Sequence, residues 1–261
     1  MGIGLDAYKI TYVANSQNPG SIVIYAPNAN GNVAPSRTIS GSNTRLYGPG
    51  GLALDVIGNV YVANAVRNQE SVTVYAPGAN GNVAPIRTIS GGRTGLNDPV
   101  GLALDASAEL YVANHVCGFN RHPAPCAVTV YAARAYGDVP PIRTISGPST
   151  KLEGPQGIAL DAAGNTYVTN SNDSVTVYAA GSNYDAAPIR AIKGRATKLI
   201  DPRGIALDAA GDVYVMNSPN YGKPGTSVTV YAAGANGNVK PIRIIHGLKT
   251  GLSSPSGGAI R

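Results

Sequence analysis

The side chains best suited to chemistry lie in one short stretch. Residues 115–126 read HVCGFNRHPAPC and hold both cysteines, two of the three histidines and the only phenylalanine. Cys117 and Cys126 flank the loop and can close it as a disulfide, which by the chain-entropy relation contributes roughly 3 kcal/mol. His115, Cys117, His122 and Cys126 together could instead hold a metal ion. The spacing H-x-C-x4-H-x3-C is not a familiar zinc pattern, however, and Pro123 and Pro125 stiffen it. Free thiols are the remaining state. An isolated cysteine pair across one loop reads as a staple, so the expectation is a disulfide, no metal and no cofactor. A disulfide in turn implies an oxidising compartment, hence a secreted, extracellular or periplasmic protein.

Elsewhere the catalytic inventory is thin. His246 is the only other histidine, and no Ser-His-Asp or Cys-His arrangement stands out. A hydrolase or lyase would have to combine His115 or His122 with Glu70 or Glu153, and no catalytic residue is assigned. Two acid and amide sets recur too regularly to be a site. Asp6, Asp55, Asp105, Asp161 and Asp208 each precede a turn, where a short acceptor ties down backbone amides. Asn15, Asn64, Asn114, Asn170 and Asn217 each close a YVAN-like run and read the same way, a ring of amides at a channel mouth being the functional alternative. Arg37, Arg87, Arg143, Arg190 and Arg243 fall on the outermost strands, where they solubilise an edge or lay their stems on tyrosines.

These sets expose the elements that carry them. GLALD at Gly51–Asp55 recurs at Gly101–Asp105, as GIALD at Gly157–Asp161 and Gly204–Asp208, and as GIGLD at Gly2–Asp6. Each is followed by YVAN or a variant, then SVTVY, then PIRTISG. The blocks alternate and are rich in Val, Ile, Thr and Tyr, with Gly, Pro and Asn clusters between them. Four short strands in every repeat of about 50 residues mark a propeller rather than a sandwich. The expected fold is therefore all-β: a closed, five-bladed β-propeller of four-stranded antiparallel blades, forming one domain over residues 1–261. Its repeats are 2–50, 51–100, 101–156, 157–203 and 204–256, with 257–261 as a possible stub of a sixth. The repeat lengths are 49, 50, 56, 47 and 53, and the loops after YVAN have 6, 7, 13, 4 and 10 residues; subtracting leaves 43 each time. All length variation sits in one loop, and variable loops on a constant scaffold are where function concentrates.

Hydrophobic residues make up 43% and charged residues 13%, enough for a core and against disorder. No run approaches a membrane span, no signal peptide heads the chain, and no nucleic-acid or phosphate-loop motif appears. The net charge of +6 is unevenly placed. Arg45, Arg67, Arg93, Arg121, Lys151, Arg195, Lys198, Arg203, Lys223 and Lys249 map to the variable-loop face with only Glu70, Asp98, Glu153, Asp173 and Asp201. The opposite face takes Lys9, Arg134 and Lys240 against Glu109, Asp138, Asp185 and Asp212. A basic variable face suits an anionic ligand, a glycan or an acidic protein, although ordinary solubilising charge is the bland alternative. Candidate ligand-binding residues there are Arg67, His115, Phe119, Arg121, His122, Gln156, Arg203, Tyr221 and Lys223.

The run GLALDxxGNVYVAN followed by SVTVY resembles the NHL and YVTN-type β-propeller repeats over essentially the whole chain. The resemblance implies the propeller fold, and it implies functions ranging from interaction modules to lactonase-like hydrolases and an antibiotic-inactivating lyase. Lactonase-type relatives place Glu, Asn and Asp ligands around the channel top. Here the residues entering the inner strands are Gly50, Val100, Gln156, Arg203 and Ser256, with no carboxylate to favour a divalent cation. The function expected first is a non-enzymatic binding propeller acting through its basic face. A lactonase- or lyase-like enzyme and a structural component of an extracellular assembly are the alternatives. Finally, PSGGAI at Pro255–Ile260 repeats the opening of a blade and competes with Gly2–Asp6 for one position. The N-terminal copy keeps its Asp and its spacing, so it is expected to form the inner strand of the first blade. The tail is left to lie alongside or to mediate self-association.

Overall fold

The computed structural model describes residues 2–17, 19–117, 125–219, 225–252 and 255–258. Among the described residues, twenty strands form five four-stranded antiparallel sheets, each ordered as in the sequence. Blade 1 comprises β1 (Ile3–Leu5), β2 (Thr11–Asn15), β3 (Ser21–Tyr25) and β4 (Arg37–Ser40). Blade 2 comprises β5 (Pro49–Leu54), β6 (Val60–Asn64), β7 (Ser71–Tyr75) and β8 (Arg87–Ile89). Blade 3 comprises β9 (Pro99–Leu104), β10 (Leu110–Asn114), β11 (Ala127–Tyr131) and β12 (Arg143–Ser146). Blade 4 comprises β13 (Pro155–Leu160), β14 (Thr166–Asn170), β15 (Ser174–Tyr178) and β16 (Arg190–Lys193). Blade 5 comprises β17 (Pro202–Leu207), β18 (Val213–Asn217), β19 (Ser227–Tyr231) and β20 (Arg243–His246). The chain is a five-bladed β-propeller. By packing it falls into two compact units, residues 1–112 with 130–142, and residues 113–129 with 143–261.

In the first unit, β1 pairs with β2 in the register Ile3↔Val13, so the N-terminal copy does form the inner strand of blade 1. Blade 2 shows why a strand here need not alternate. Every residue of β6 and β7 is buried, because one side of the sheet packs on blade 1 and the other on β9. Ile22, Ile24 and Ile39 interlock with Val60, Val62 and Tyr75 on one side. Tyr61, Val72 and Val74 meet Leu102 and Leu110 on the other. Inner strands approach so closely that a Cβ on Gly51 would sit 2.0 Å from the Val100 carbonyl oxygen. That contact excludes any larger residue at the crowded centre.

The second unit repeats the pattern. Tyr167, Val175, Val177 and Ile192 of blade 4 pack on Ile205, Val213, Val215 and Tyr231 of blade 5. The inner strands begin two residues earlier than the sequence motif, at Pro155 and Pro202, because each carries a register irregularity before it settles. Blades 1, 2, 4 and 5 are also cross-braced. Arg190 of β16 donates to the Tyr167 hydroxyl at 2.8 Å, and Tyr167 donates to Asp161 at 3.4 Å. Asp161 in turn accepts the backbone N–H groups of Ala163 and Asn165. Arg243, Tyr214 and Asp208 repeat this chain in blade 5, and Arg87 donates to Tyr61 in blade 2. The repeated Asp and Arg sets are therefore spent on the scaffold.

Candidate functional site

In blades 2, 4 and 5 the base of the variable loop is fixed by the asparagine that ends the second strand. Asn170 is fully buried; its Oδ1 accepts the Glu153 N–H at 3.1 Å, and its amide donates to the Val168 carbonyl and the Thr176 hydroxyl. Asn217 does the same for Ile200 N–H, and in the first unit Asn64 does so for Tyr47 N–H. In each case the acceptor reaches 17 residues back in the chain, to the connector that enters the blade. These three asparagines are latches between loop and connector, already engaged by backbone and threonine hydroxyl partners.

The disulfide between Cys117 and Cys126 is formed. It is seated in the second unit on the blade-4 connector, where Gly154 N–H points at both sulfurs, 3.3 and 3.4 Å away. With both sulfurs bonded to each other, the four-ligand metal arrangement is ruled out. The His115 ring rests on the same glycine, its Cε1 3.3 Å from where a Cβ would be, and Ser171 Oγ would be 2.5 Å away. Gly154 also has a φ of +52°, so any side chain there is doubly excluded. The His115 Nδ1 is buried without a hydrogen-bond partner among the described residues.

Polar groups continue outward from this seat. Ser171 Oγ donates to the Gly154 carbonyl at 3.0 Å and accepts from Gln156 Nε2 at 3.4 Å. Asn172 donates to Glu153 Oε2 at 3.0 Å. One connector further on, Asp173 accepts the Asp201 N–H at 2.8 Å, and Asp201 pairs with Arg203 at 2.9 Å. Thr169 Oγ1 donates to the Arg203 carbonyl and accepts from Gly157 N–H, joining Gly157 and Arg203 across neighbouring inner strands.

Of the candidates read from the sequence, the structure thus gathers His115, Cys117, Cys126 and Gln156 around Gly154 and Ser171, with Arg203 on the adjoining strand. Arg67 belongs to the first unit and is exposed beside a groove of about 600 Å³ lined by Arg45, Tyr47, Asn68, Gln69 and Glu70. Phe119, Arg121, His122, Tyr221 and Lys223 lie outside the described residues. Sequence reasoning missed Gly154, Ser171 and Asn172. The signal for Gly154 was present: Gly48, Asp98, Gly154 and Asp201 each precede the proline that opens an inner strand, and all four have positive φ.

The charge map needs one correction. Asp138 and Asp185 were set on the face opposite the connectors, yet they accept the N–H groups of Arg93 and Ser149, both in connectors, at 2.8 and 2.7 Å. The loop before the fourth strand runs along the preceding blade and delivers these carboxylates to its connector. The connector end is therefore less positive than the linear assignment implies. It is still decorated by cations: Arg45, Arg67 and Arg93 in the first unit, and Lys151, Arg195, Lys198 and Lys249 in the second, are all exposed. None of the seven is in an ion pair among the described residues.

Fold and site together define a β-propeller whose second-to-third-strand loops are tied to the connectors by hydrogen bonds, from the blade-2 loop in the first unit to the loops of blades 4 and 5 in the second. No family profile and no curated protein matches the sequence. Among solved structures, the chain is similar to a protein of unknown function from Bacteroides caccae, with 9% identity, a TM-score of 0.70, and coverage of 99% of this chain and 85% of that one. It is also similar to a protein from Lactobacillus plantarum (17% identity, TM-score 0.61, 93% and 70% covered). A streptogramin B lyase matches at 11% identity and TM-score 0.58, with 90% and 68% covered. At these identities the likeness establishes the fold.

Proposed function

We propose that the protein is a non-enzymatic binding propeller of NHL or YVTN type, working outside the cytoplasm and engaging an anionic partner through its connector and loop rim. The observation that carries this reading is an imbalance of engagement. Five rim carboxylates are engaged by the protein itself: Glu153 by Asn172, Asp173 by a backbone N–H, Asp201 by Arg203, and Asp138 and Asp185 by connector amides. Seven rim cations are exposed and in no ion pair among the described residues, which leaves them open to an acidic glycan or polypeptide. The disulfide supports maturation in an oxidising compartment. No helix among the described residues is long and apolar enough to cross a membrane.

Retention on immobilised heparin tests the reading. Wild-type protein is expected to bind at low salt and to elute as salt rises. The paired reversals Arg45→Glu with Arg67→Glu, and Lys151→Glu with Lys198→Glu, should each lower the eluting salt concentration. Elution of both variants at the wild-type salt concentration would remove the rim cations from the account.

A further inference from the structure

The loops of blades 2 and 4 leave from the same asparagine latch but spend their side chains differently. In the second unit Ser171, Asn172 and Asp173 turn back on the protein, to the Gly154 carbonyl, to Glu153 and to the Asp201 N–H. In the first unit Asn68, Gln69 and Glu70 hold the corresponding place, directly before the third strand. None of these three side chains makes a hydrogen bond or ion pair among the described residues. Together with Arg45 and Tyr47 of the preceding connector they line a groove of about 600 Å³, which lies wholly within the first unit. Its walls are held by backbone. Tyr47 N–H donates to Asn64 Oδ1, Val66 N–H to the Tyr47 carbonyl and Ala65 N–H to the Gly48 carbonyl, while Gln69 N–H closes a turn on the Val66 carbonyl. The groove is therefore preformed, and its polar side chains are unspent.

The lining selects a ligand by class. Arg45 offers only donors, Glu70 only acceptors, and the amides of Asn68 and Gln69 offer both. Tyr47 is 38% exposed and adds an aromatic ring. A sugar ring meets this whole set, because each hydroxyl donates and accepts and the C–H face packs on an aromatic ring. Inorganic phosphate would be opposed by Glu70 and would leave Tyr47 unused. A peptide adding as a further strand is closed out, because the free edge of β8 is already taken. Gly137 N–H donates to the Thr88 carbonyl at 2.8 Å, and Ser90 N–H to the Gly137 carbonyl at 3.2 Å. Charge narrows the sugar further. Arg45 lines the groove, and Arg67 and Arg93 adjoin lining residues in the chain; against them stand Glu70 and Asp138, the latter accepting the Arg93 N–H. That balance suits a sugar bearing a carboxylate, which a guanidinium can hold through two parallel N–H bonds.

We propose that this groove binds one acidic unit of a uronic-acid-containing glycan. Its carboxylate rests on Arg45, its hydroxyls on Asn68, Gln69 and Glu70, and its ring on Tyr47. This assignment rests on the anionic-partner reading above and gives it a ligand class.

Isothermal titration calorimetry with the full chain tests it, using tetramers of galacturonate, of mannuronate, and of alternating glucuronate and N-acetylglucosamine. Wild type is expected to bind at least one of these and not the uncharged N-acetylglucosamine tetramer. Asn68→Ala with Gln69→Ala removes two hydrogen bonds and should weaken that binding about 30-fold. Tyr47→Leu keeps bulk without the aromatic face and should weaken it too. Asn68 and Gln69 are exposed, so the double variant should keep the wild-type circular dichroism spectrum and melting transition. Its charge is unchanged, so it should also elute from heparin with wild type. A chain retained on heparin that binds none of the three tetramers overturns the groove assignment and leaves the wider reading standing; failure of both overturns the two together. Equal binding of the uncharged tetramer, or full affinity in the double variant, also overturns the assignment. So does a polyglutamate peptide that displaces the sugar and is itself weakened by the double variant, since the groove would then serve an acidic protein.

Discussion

Replacing Tyr75 by Phe and Tyr25 by Phe removes the same hydroxyl from the same repeat position in two different settings. Tyr75 is 0% exposed and its hydroxyl donates to the carbonyl of Thr44, itself 1% exposed. Phe keeps the ring and its packing, so no cavity opens and the change isolates the hydrogen bond. The lost bond contributes about 1 kcal/mol, and stripping a buried carbonyl of this donor adds up to a further ~2 kcal/mol. Tyr75→Phe should therefore destabilise by about 1–3 kcal/mol. Tyr25 is only partly buried, and water can replace its partner, so Tyr25→Phe should fall within ~0.5 kcal/mol of wild type. Urea unfolding followed by circular dichroism in dilute solution measures both, with an unchanged m-value as the condition for comparing midpoints. Equal losses in the two variants would refute the reasoning, since position in the repeat and not burial would then set the cost.

Alkaline pH probes the same tyrosines. Burial pushes the Tyr75 and Tyr231 hydroxyls up to about 12, against an unfolded value near 10. Their neutral form is thus favoured by folding, and their contribution is intact below about pH 10 and lost as pH rises toward 12. The decline is about 1.4 kcal/mol per pH unit for each tyrosine. Tyrosinate absorbance and circular dichroism should change together in that window; independent titration near pH 10 with the fold intact would contradict the assignment. Removing the staple with Cys117→Ser and Cys126→Ser should lower stability by about 2–3 kcal/mol. Thiol titration of unfolded, unreduced wild type should find no free thiols, and finding two would sink the clip.

Motif periodicity made the blades legible, because each strand's residue types and each turn's Gly, Pro or Asn are local requirements. The inner strand of blade 1 was assignable for the same reason: the spacing from Asp6 to Asn15 matches that from Asp55 to Asn64. The disulfide was readable from the isolation of its cysteines. Its seat was not, since Gly154 lies 37 residues beyond Cys117 and only folding brings them together. The positions of Asp138 and Asp185 failed for a related reason. A loop assigned to one end of a blade travels along its neighbour, and nothing in the local sequence records that journey.

The asparagine latch has a consequence for how such a chain can change. Asn64, Asn170 and Asn217 grip the incoming connector with the side chain and the blade with the amide, so the mouth of each loop is pinned whatever the loop contains. The three latched loops have seven, four and ten residues, yet each leaves from the same asparagine at the end of the second strand. That is the architecture of a display scaffold. Insertions at 171–173 or 65–70 should be absorbed without loss of the fold, which makes these positions natural places to graft recognition sequences and select new binders.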